Sequence, residues 1–347
     1  MSESKFLPID YLSPRVAEVF NKLVSLDIEG EIGKGLDPII HYVDDIYNIA
    51  GIAGSSVSSN NASVYISKPY CQMLWILCNI ALRVYDSSSV CEAVERMTEE
   101  DKRKFYEELK IDCPSTRYIK EVINWEDTLM TVAELGEVIK RLLKNNITYE
   151  ELRRCEHISD IESEIAIKAN SLYCYGVSFI LAHEFSHYSL GHNLNTDGSA
   201  DEERAADHHA FWSMAADLDG KERETAMMGV ICALSSLLFT NPKLEQDGIH
   251  PQENERIFEF YDIVIKDNQD LKYMQMLIMI LTTWAVCCEI NDFPKVSELK
   301  ASEECLCEMR DYLSHIANSA PVSLSTAYKT FSICALSSGY QAINSYE

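Results

Sequence analysis

The sequence predicts a mainly α-helical fold with a minor β element, and it leaves an α+β arrangement open. Apolar residues recur at helical spacing along most of the 347 residues, and residue types that cap helices precede several of these stretches. Strand signals are few, and only residues 63–67 have the composition of a short strand. The predicted helices, in chain order, are 14–27, 68–86, 100–110, 126–145, 161–191, 200–218, 222–240, 251–264, 270–289, 301–317 and 322–337.

A Gly-, Ser- and Asn-rich run at residues 50–63 separates the first predicted helix from the rest of the chain. Runs of this composition favour a linker or a loop. We therefore expect an N-terminal segment at residues 1–60 and a helical domain at residues 61–347. A chain of this length can bury a large core in one extended domain or in two closely packed ones.

Three apolar stretches, residues 70–84, 226–240 and 273–288, are predicted to be buried core helices. Each is shorter than the ~20 residues that a membrane-spanning helix needs, and polar residues interrupt or flank each one. The sequence therefore predicts no membrane association.

The predicted helix at 161–191 carries the motif HEFSH, which begins at His183. An α-helix places residues four apart on one face, so His183 and His187 can direct two imidazole nitrogens at one metal ion. Glu184 would then act as a general base on a water molecule at that ion. The motif predicts a zinc site, and the alternative is a buried helix whose two histidines only form hydrogen bonds.

A third ligand is expected, because a catalytic zinc ion usually has three protein ligands and one open position. The predicted helix at 200–218 places Glu203 and Asp207 four residues apart on one face. Glu203 would be the third ligand, and Asp207 would accept a hydrogen bond from the non-coordinating nitrogen of a ligand histidine, with His183 as the first choice. The alternative is a solvated acidic first turn, which the helix dipole favours.

A competing ligand pattern does not fit the chain. Metzincin proteases continue the motif as HExxHxxGxxH, with the third ligand six residues after the second histidine. Leu190 and Asn193 occupy the required Gly and His positions here. His192 lies one residue too early, and we expect it to be a helix-end residue near the cleft.

A third element, HPQENERI, follows at residues 250–257 and offers His250 and Arg256. A tetrahedral intermediate of peptide hydrolysis needs a positive or hydrogen-bonding partner for its oxyanion. Arg256, His250 or a tyrosine could supply it, and the sequence does not choose among them. The alternative is an ordinary helix N-terminus, with Pro251 in the first turn and Arg256 in a surface ion pair.

The elements HEFSH, ERAAD and HPQENERI resemble, in this order, the HExxH, ExxxD and HPxxxxRI elements of gluzincin metallopeptidases, and the resemblance covers residues 176–262. They are similar to the catalytic cores of HtpX-like and CAAX-prenyl-endopeptidase-like enzymes. The resemblance implies a zincin-like core that binds zinc through His183, His187 and Glu203. It also implies Glu184 as the base and places Arg256 near the cleft.

Those membrane enzymes have transmembrane helices, and this sequence predicts none, so we do not expect their membrane location and substrates to carry over. Among soluble families, the chain is similar to the ImmA/IrrE-like peptidases and to the Lit-like phage-exclusion peptidases, which have a similar HEFxH core in a helical chain. In zincin-like folds an edge strand beside the active helix pairs with the extended substrate. Residues 63–67 would take that role.

Charge and cysteine usage limit the partners and the compartment. A formal net charge of −25 argues against nucleic-acid and anionic-membrane binding, which depends on clustered Lys and Arg. Many of the twelve cysteines lie in apolar stretches, where free thiols act as small core residues. Because residues 1–10 have neither a basic start nor an apolar core, we expect no signal peptide and a cytoplasmic protein.

The sequence thus predicts a zinc-dependent metalloendopeptidase that hydrolyses a protein or peptide substrate through a zinc-activated water and the general base Glu184. The alternative is a regulatory or binding protein that retains a zincin-like metal site without catalysis. The presence of Glu184 favours the enzyme, because a purely structural site needs no base. Neither the substrate nor the oligomeric state follows from the sequence.

Overall fold

The computed structural model of the protein describes residues 7–26, 39–44, 49–54, 62–111, 113–159, 163–192, 199–216, 218–245, 251–267, 271–294 and 303–319. Within these ranges the chain is mainly α-helical with one small sheet, which confirms the predicted fold class. The elements are α1 Pro8–Leu26, β1 Ile39–Val43, β2 Ala50–Gly54, β3 Ala62–Ser67, α2 Lys68–Glu95, α3 Glu99–Glu108, α4 Pro114–Ile123, α5 Trp125–Leu143, α6 Tyr149–Arg154, α7 Glu156–Ser159, α8 Glu164–Ser189, α9 Ala200–Ala215, α10 Gly220–Thr240, α11 Glu253–Asp267, α12 Leu271–Cys287 and α13 Glu303–Ser319.

The sheet has the strand order β1-β3-β2, with β3 parallel to β1 and antiparallel to β2. Val64 and Ile66 of β3 are fully buried, as the alternation of a half-buried strand requires. The predicted linker was wrong for residues 50–54, which form β2. Pairing with β3 holds this Gly- and Ala-rich strand, and such pairing is not visible in local composition.

The edge-strand role predicted for residues 63–67 was also wrong. They lie in β3, which is bonded to a strand on both sides, so β3 has no free edge for a substrate. Two described elements of the predicted N-terminal segment contact the rest of the chain. Helix α1 packs on α8, and β1 pairs with β3. The boundary between residues 60 and 61 stays a prediction.

Two helix boundaries differ from the predicted ones for identifiable reasons. Helix α1 begins at Pro8, six residues before the predicted start, because it continues through Pro14. Helix α2 continues to Glu95 through a serine-rich run that resembles a helix end. Ser87 in that run is buried, and its hydroxyl lies 3.0 Å from the hydroxyl of Thr128 on α5. The predicted helix at 322–337 lies outside the described residues.

Helix α8 crosses the core and packs against α1, α2, α9 and α10. Its backbone comes very close to that of α10, where Gly176 faces Gly229. A Cβ atom on Gly229 would lie 2.6 Å from the Leu172 carbonyl oxygen, and one on Gly176 would lie 2.9 Å from the Gly229 carbonyl oxygen. Both positions therefore exclude a side chain, and this crossing fixes the helix that carries HEFSH.

Among the described helices, α8 alone is long and apolar enough to cross a membrane. Its most apolar 18-residue window is 78 % buried inside the protein, as the central helix of a packed core would be. The apolar stretches at 70–84, 226–240 and 273–288 lie mainly in α2, α10 and α12, which are largely buried.

Candidate metal centre

The motif HEFSH lies in the last two turns of α8 and brings two imidazoles together. The helix begins at the N-cap Ser163, whose side chain accepts a hydrogen bond from the Ala166 N–H, and it runs without interruption to Ser189. The Nε2 atoms of His183 and His187 lie 3.3 Å apart. Helical spacing alone produces this pair, as the sequence predicts.

Helix α9 brings a carboxylate to the same point. It starts with a capping box, in which the Ser199 side chain accepts from the Glu202 N–H and the Glu202 carboxylate accepts from the Ser199 N–H. The Glu203 side chain is only 8 % exposed, whereas that of its first-turn neighbour Asp201 is 97 % exposed. The description as a solvated acidic turn therefore fits Asp201 and not Glu203.

The two oxygens of Glu203 each face one imidazole. Oε2 lies 3.3 Å from Nε2 of His183, and Oε1 lies 3.4 Å from Nε2 of His187. Zinc–ligand bonds of ~2.0–2.1 Å in a tetrahedral site place neighbouring ligand atoms about 3.3 Å apart. The chemistry and the spacing of these three side chains fit a zinc ion, and the cluster could hold a metal.

Asp207 and Arg256 lie behind the first histidine. Nδ1 of His183, the nitrogen that faces away from Glu203, is 2.8 Å from Oδ1 of Asp207. Arg256 on α11 donates from Nε and Nη2 to the two oxygens of Asp207, at 2.7 Å each. The side chains of Asp207 and Arg256 are 14 % and 10 % exposed, so this two-pronged ion pair is buried. It connects α11 to the ligand cluster through α9.

The burial and the charged groups of this cluster shift the pKa values of its two histidines in opposite directions. Burial alone would lower the pKa of His183, but the carboxylates of Asp207 and Glu203 outweigh it and raise the pKa to about 10. Burial and the neighbouring His183 lower the pKa of His187 to about 4. Burial would raise the pKa of Asp207, yet Arg256 and His183 hold it below its usual range. In the metal-free cluster, His183 is therefore the histidine that favours the charged, doubly protonated form.

Glu184, the predicted base, follows His183 directly on α8 and is half-buried. A residue one step further along an α-helix points about 100° away from its neighbour, so Glu184 does not compete with the two ligand histidines for the same face. His250 lies outside the described residues, and its predicted role at the oxyanion is not placed by them.

His192, which the sequence places at the helix end near the cleft, also contacts the cluster. Nδ1 of His192 lies 2.9 Å from Nδ1 of His187. Gly191, which precedes it, has a φ of +72° and ends the helix in the left-handed region that favours glycine. A histidine directly after a helix-ending glycine, five residues past the second ligand, was the signal available in the sequence.

Outside the cluster, α9 and α11 are joined by a second, exposed layer of ion pairs. Arg204 donates to Glu255 at 3.1 Å, and Nε2 of His208 lies 3.0 Å from Glu259. The side chains of Arg204 and His208 are 38 % and 45 % exposed. Neither Arg204 nor His208 is part of the ligand cluster. Both are therefore suitable control positions for substitutions on α9.

A comparison with models of protein families finds a match for the part of the chain that carries this site. A family model described as Peptidase U49 matches residues 64–276, which is more than half of the chain. The matched range runs from β3 into α12 and contains the three ligand candidates and Glu184. No curated protein and no solved structure matches the chain.

Proposed function

The chain belongs to the Peptidase U49 family, and from this premise we propose that it is a zinc-dependent metalloendopeptidase of the gluzincin type. A peptidase acts on a protein or peptide, and the cluster of His183, His187 and Glu203 is the observation that supports metal-dependent hydrolysis. The third donor is a glutamate from the helix after the motif, which is the ligand set expected of a gluzincin. Resemblance to the Lit-like, ImmA/IrrE-like or HtpX-like enzymes in particular stays a prediction.

His183 and His187 would bind zinc through their Nε2 atoms, and Glu203 would bind through its carboxylate. When bound, zinc supplies a Lewis acid that polarises the scissile carbonyl and lowers the pKa of water to about 7. The surrounding burial excludes bulk water from the His183 side of the cluster, since His183 and Glu203 are both buried. Electrostatic interactions are stronger in such a water-poor site.

Glu184 would carry the proton during hydrolysis. Its carboxylate would accept a proton from the attacking water and deliver it to the departing amine, which is a general base and then a general acid role. Its half-buried position on the same turn as His183 keeps it beside the ligands without occupying a ligand position. A metal site with only a structural role has no use for this carboxylate.

Asp207 and Arg256 would orient His183 rather than touch the substrate. The carboxylate of Asp207 lies 2.8 Å from Nδ1 of His183, where it would accept the proton of that nitrogen, leave Nε2 free for the metal and raise the basicity of the ring. Arg256 uses Nε and Nη2 on Asp207, so we propose it as a positioning residue. The oxyanion roles predicted for His250, Arg256 or a tyrosine stay predictions.

We also propose that the protein works in the cytoplasm, on a protein substrate and without nucleic-acid or membrane partners. No disulfide bond joins any of the eleven cysteines of the described ranges, which supports a reducing compartment. The formal net charge of −25 supports the absence of polyanionic partners.

Metal analysis tests the ligand set. Protein purified without chelator is expected to hold about one zinc ion per chain, and His187→Ala is expected to lose most of it. His208→Ala, which changes a histidine of α9 outside the cluster, is the matched control and should keep its zinc. Wild-type protein without zinc, or an equal zinc content in wild type and His187→Ala, would contradict the proposal.

Cleavage analysis tests catalysis. A proteome incubated with the wild type is expected to show new amino termini that are absent with Glu184→Gln, because that change removes the base and keeps the side-chain volume. Loss of a general base typically costs 100-fold or more in rate. Identical termini with both proteins, while both hold zinc, would favour the non-catalytic binding protein instead.

A further inference from the structure

The end of α8 forms a backbone motif that ties His192 to the second ligand histidine. The N–H of Gly191 donates to the Tyr188 carbonyl at 3.1 Å, and the N–H of His192 donates to the His187 carbonyl at 2.9 Å. With Gly191 in the left-handed region, these two bonds form a Schellman motif. The residue that accepts the longer-range bond of this motif is His187 itself.

The side chains of His187 and His192 meet as well. Their Nδ1 atoms lie 2.9 Å apart, and the ring centroids are 5.0 Å apart at an interplanar angle of 66°. Two ring nitrogens at this distance form a hydrogen bond only if one carries a proton and the other accepts it. A histidine that binds a metal through Nε2 carries its proton on Nδ1. His187 would then be the donor and His192 the acceptor.

We propose that His192 is a positioning residue that fixes the ring orientation and the tautomer of His187 for metal binding. This inference rests on the proposed metal site. The two ligand histidines would then have different supports, since His183 faces the carboxylate of Asp207 and His187 faces an imidazole.

The backbone conformation of Gly191 makes this contact possible. An added Cβ would meet no heavy atom within 4 Å, so the space is open and only the φ of +72° opposes a side chain. A non-glycine residue is strained there, and the chain would leave the helix in another direction. The position of His192 relative to His187 therefore depends on glycine as well as on the histidine.

Zinc affinity of three variants tests the inference, with wild-type zinc binding measured first by competition with a chelator. His192→Leu removes the acceptor and is expected to weaken zinc binding 10- to 100-fold, as loss of a group that orients a ligand typically does. His192→Asn restores an acceptor near the Nδ1 position and is expected to bind within about 3-fold of wild type. His208→Leu is the matched control and is expected to bind as the wild type does.

Two further measurements separate orientation from folding. The thermal midpoint of the metal-free protein should stay close to the wild-type value for both His192→Leu and His192→Asn, because His192 would orient a ligand rather than stabilise the fold. The visible spectrum of the cobalt-substituted protein should change with His192→Leu and resemble wild type with His192→Asn. Unchanged zinc affinity in His192→Leu overturns the inference, as does equal weakening in both variants with a lowered midpoint. A wild type that binds no zinc overturns the proposed function itself.

Discussion

The two histidines of HEFSH lie one turn apart on one helix, yet their surroundings differ. His183 is buried, faces Asp207 and is backed through it by Arg256. His187 is half-buried, faces His192 and lies at the helix end. The pKa of the first is raised to about 10 and that of the second is lowered to about 4. We call these the Asp207 side and the His192 side of the cluster.

The sequence spacing of HEFSH assigns His183 and His187 the same role as ligands. The side chains packed around each of them nevertheless differ. The buried ion pair between Asp207 of α9 and Arg256 of α11 stabilises the Asp207 side. Substitutions there should therefore affect the stability of the fold. The backbone of one helix end and a single imidazole support the His192 side. Changes there should affect metal binding more than stability, and the following experiments test that contrast.

The largest effect is expected from breaking the buried ion pair. Asp207→Leu leaves the guanidinium of Arg256 buried without its partner, and removal of one member of a buried pair typically costs about 3–5 kcal/mol in the free energy of unfolding. Urea unfolding of the metal-free protein measures it. Arg256→Met added to Asp207→Leu should recover part of the loss, because no unpaired charge then remains. A single-variant loss below about 1 kcal/mol would remove the contrast between the two sides.

Next in size is the pH dependence of the metal-free protein, in which the two sides should act in opposite directions. The raised pKa of His183 stabilises the fold below about pH 6.5, and this contribution is lost as the pH rises toward 10. The lowered pKa of His187 destabilises the fold as the pH falls from about 6.5 toward 4, since only the unfolded chain then takes up the proton.

Unfolding free energies measured between about pH 5 and 8.5 check this prediction. His183→Gln should flatten the decline on the alkaline side, and His187→Gln should flatten the decline on the acidic side, each in comparison with the wild type. Parallel curves for the wild type and both variants would show that neither histidine has a pKa that differs between the folded and the unfolded chain.

A smaller effect is expected at the helix end. Gly191→Ala should cost about 1–2 kcal/mol in the free energy of unfolding, because alanine is strained in the left-handed region while no atom obstructs its Cβ. It should also weaken zinc binding, since the turn places His192 on His187. Gly51→Ala, whose added Cβ likewise meets no atom, is the control without the left-handed backbone. Equal stability of both variants would argue against strain at Gly191.

The smallest effect is expected in the exposed ion-pair layer between α9 and α11. Arg204→Ala removes a pair with Glu255 whose side chains are 38 % and 49 % exposed. Such pairs contribute about 0–1 kcal/mol, and salt screens them. Zinc binding and cleavage should stay at the wild-type level. A loss comparable to that of Asp207→Leu would show that the outer layer, and not the buried pair, holds α11 to α9.

The sequence predicted the fold class and the residues that meet at the cluster, because both depend on local helical periodicity. His183 and His187 need only one helix, whereas Glu203 was inferred from the requirement for a third donor and from its spacing to Asp207. The partner of Arg256 was not predictable, since its bond to Asp207 depends on how α11 packs on α9. Strand β2 was missed for the same reason, as only its pairing with β3 makes it a strand.

The close crossing of α8 and α10 has a consequence for protein engineering. His183 lies seven positions after Gly176, which is about 10 Å along the helix axis. Neither glycine tolerates a side chain. A substitution at Gly229 would therefore shift α8 as a whole and displace the ligand nitrogens of His183 and His187. Efforts to retune metal preference in this protein should therefore vary residues around the ligand cluster and keep this remote glycine pair unchanged.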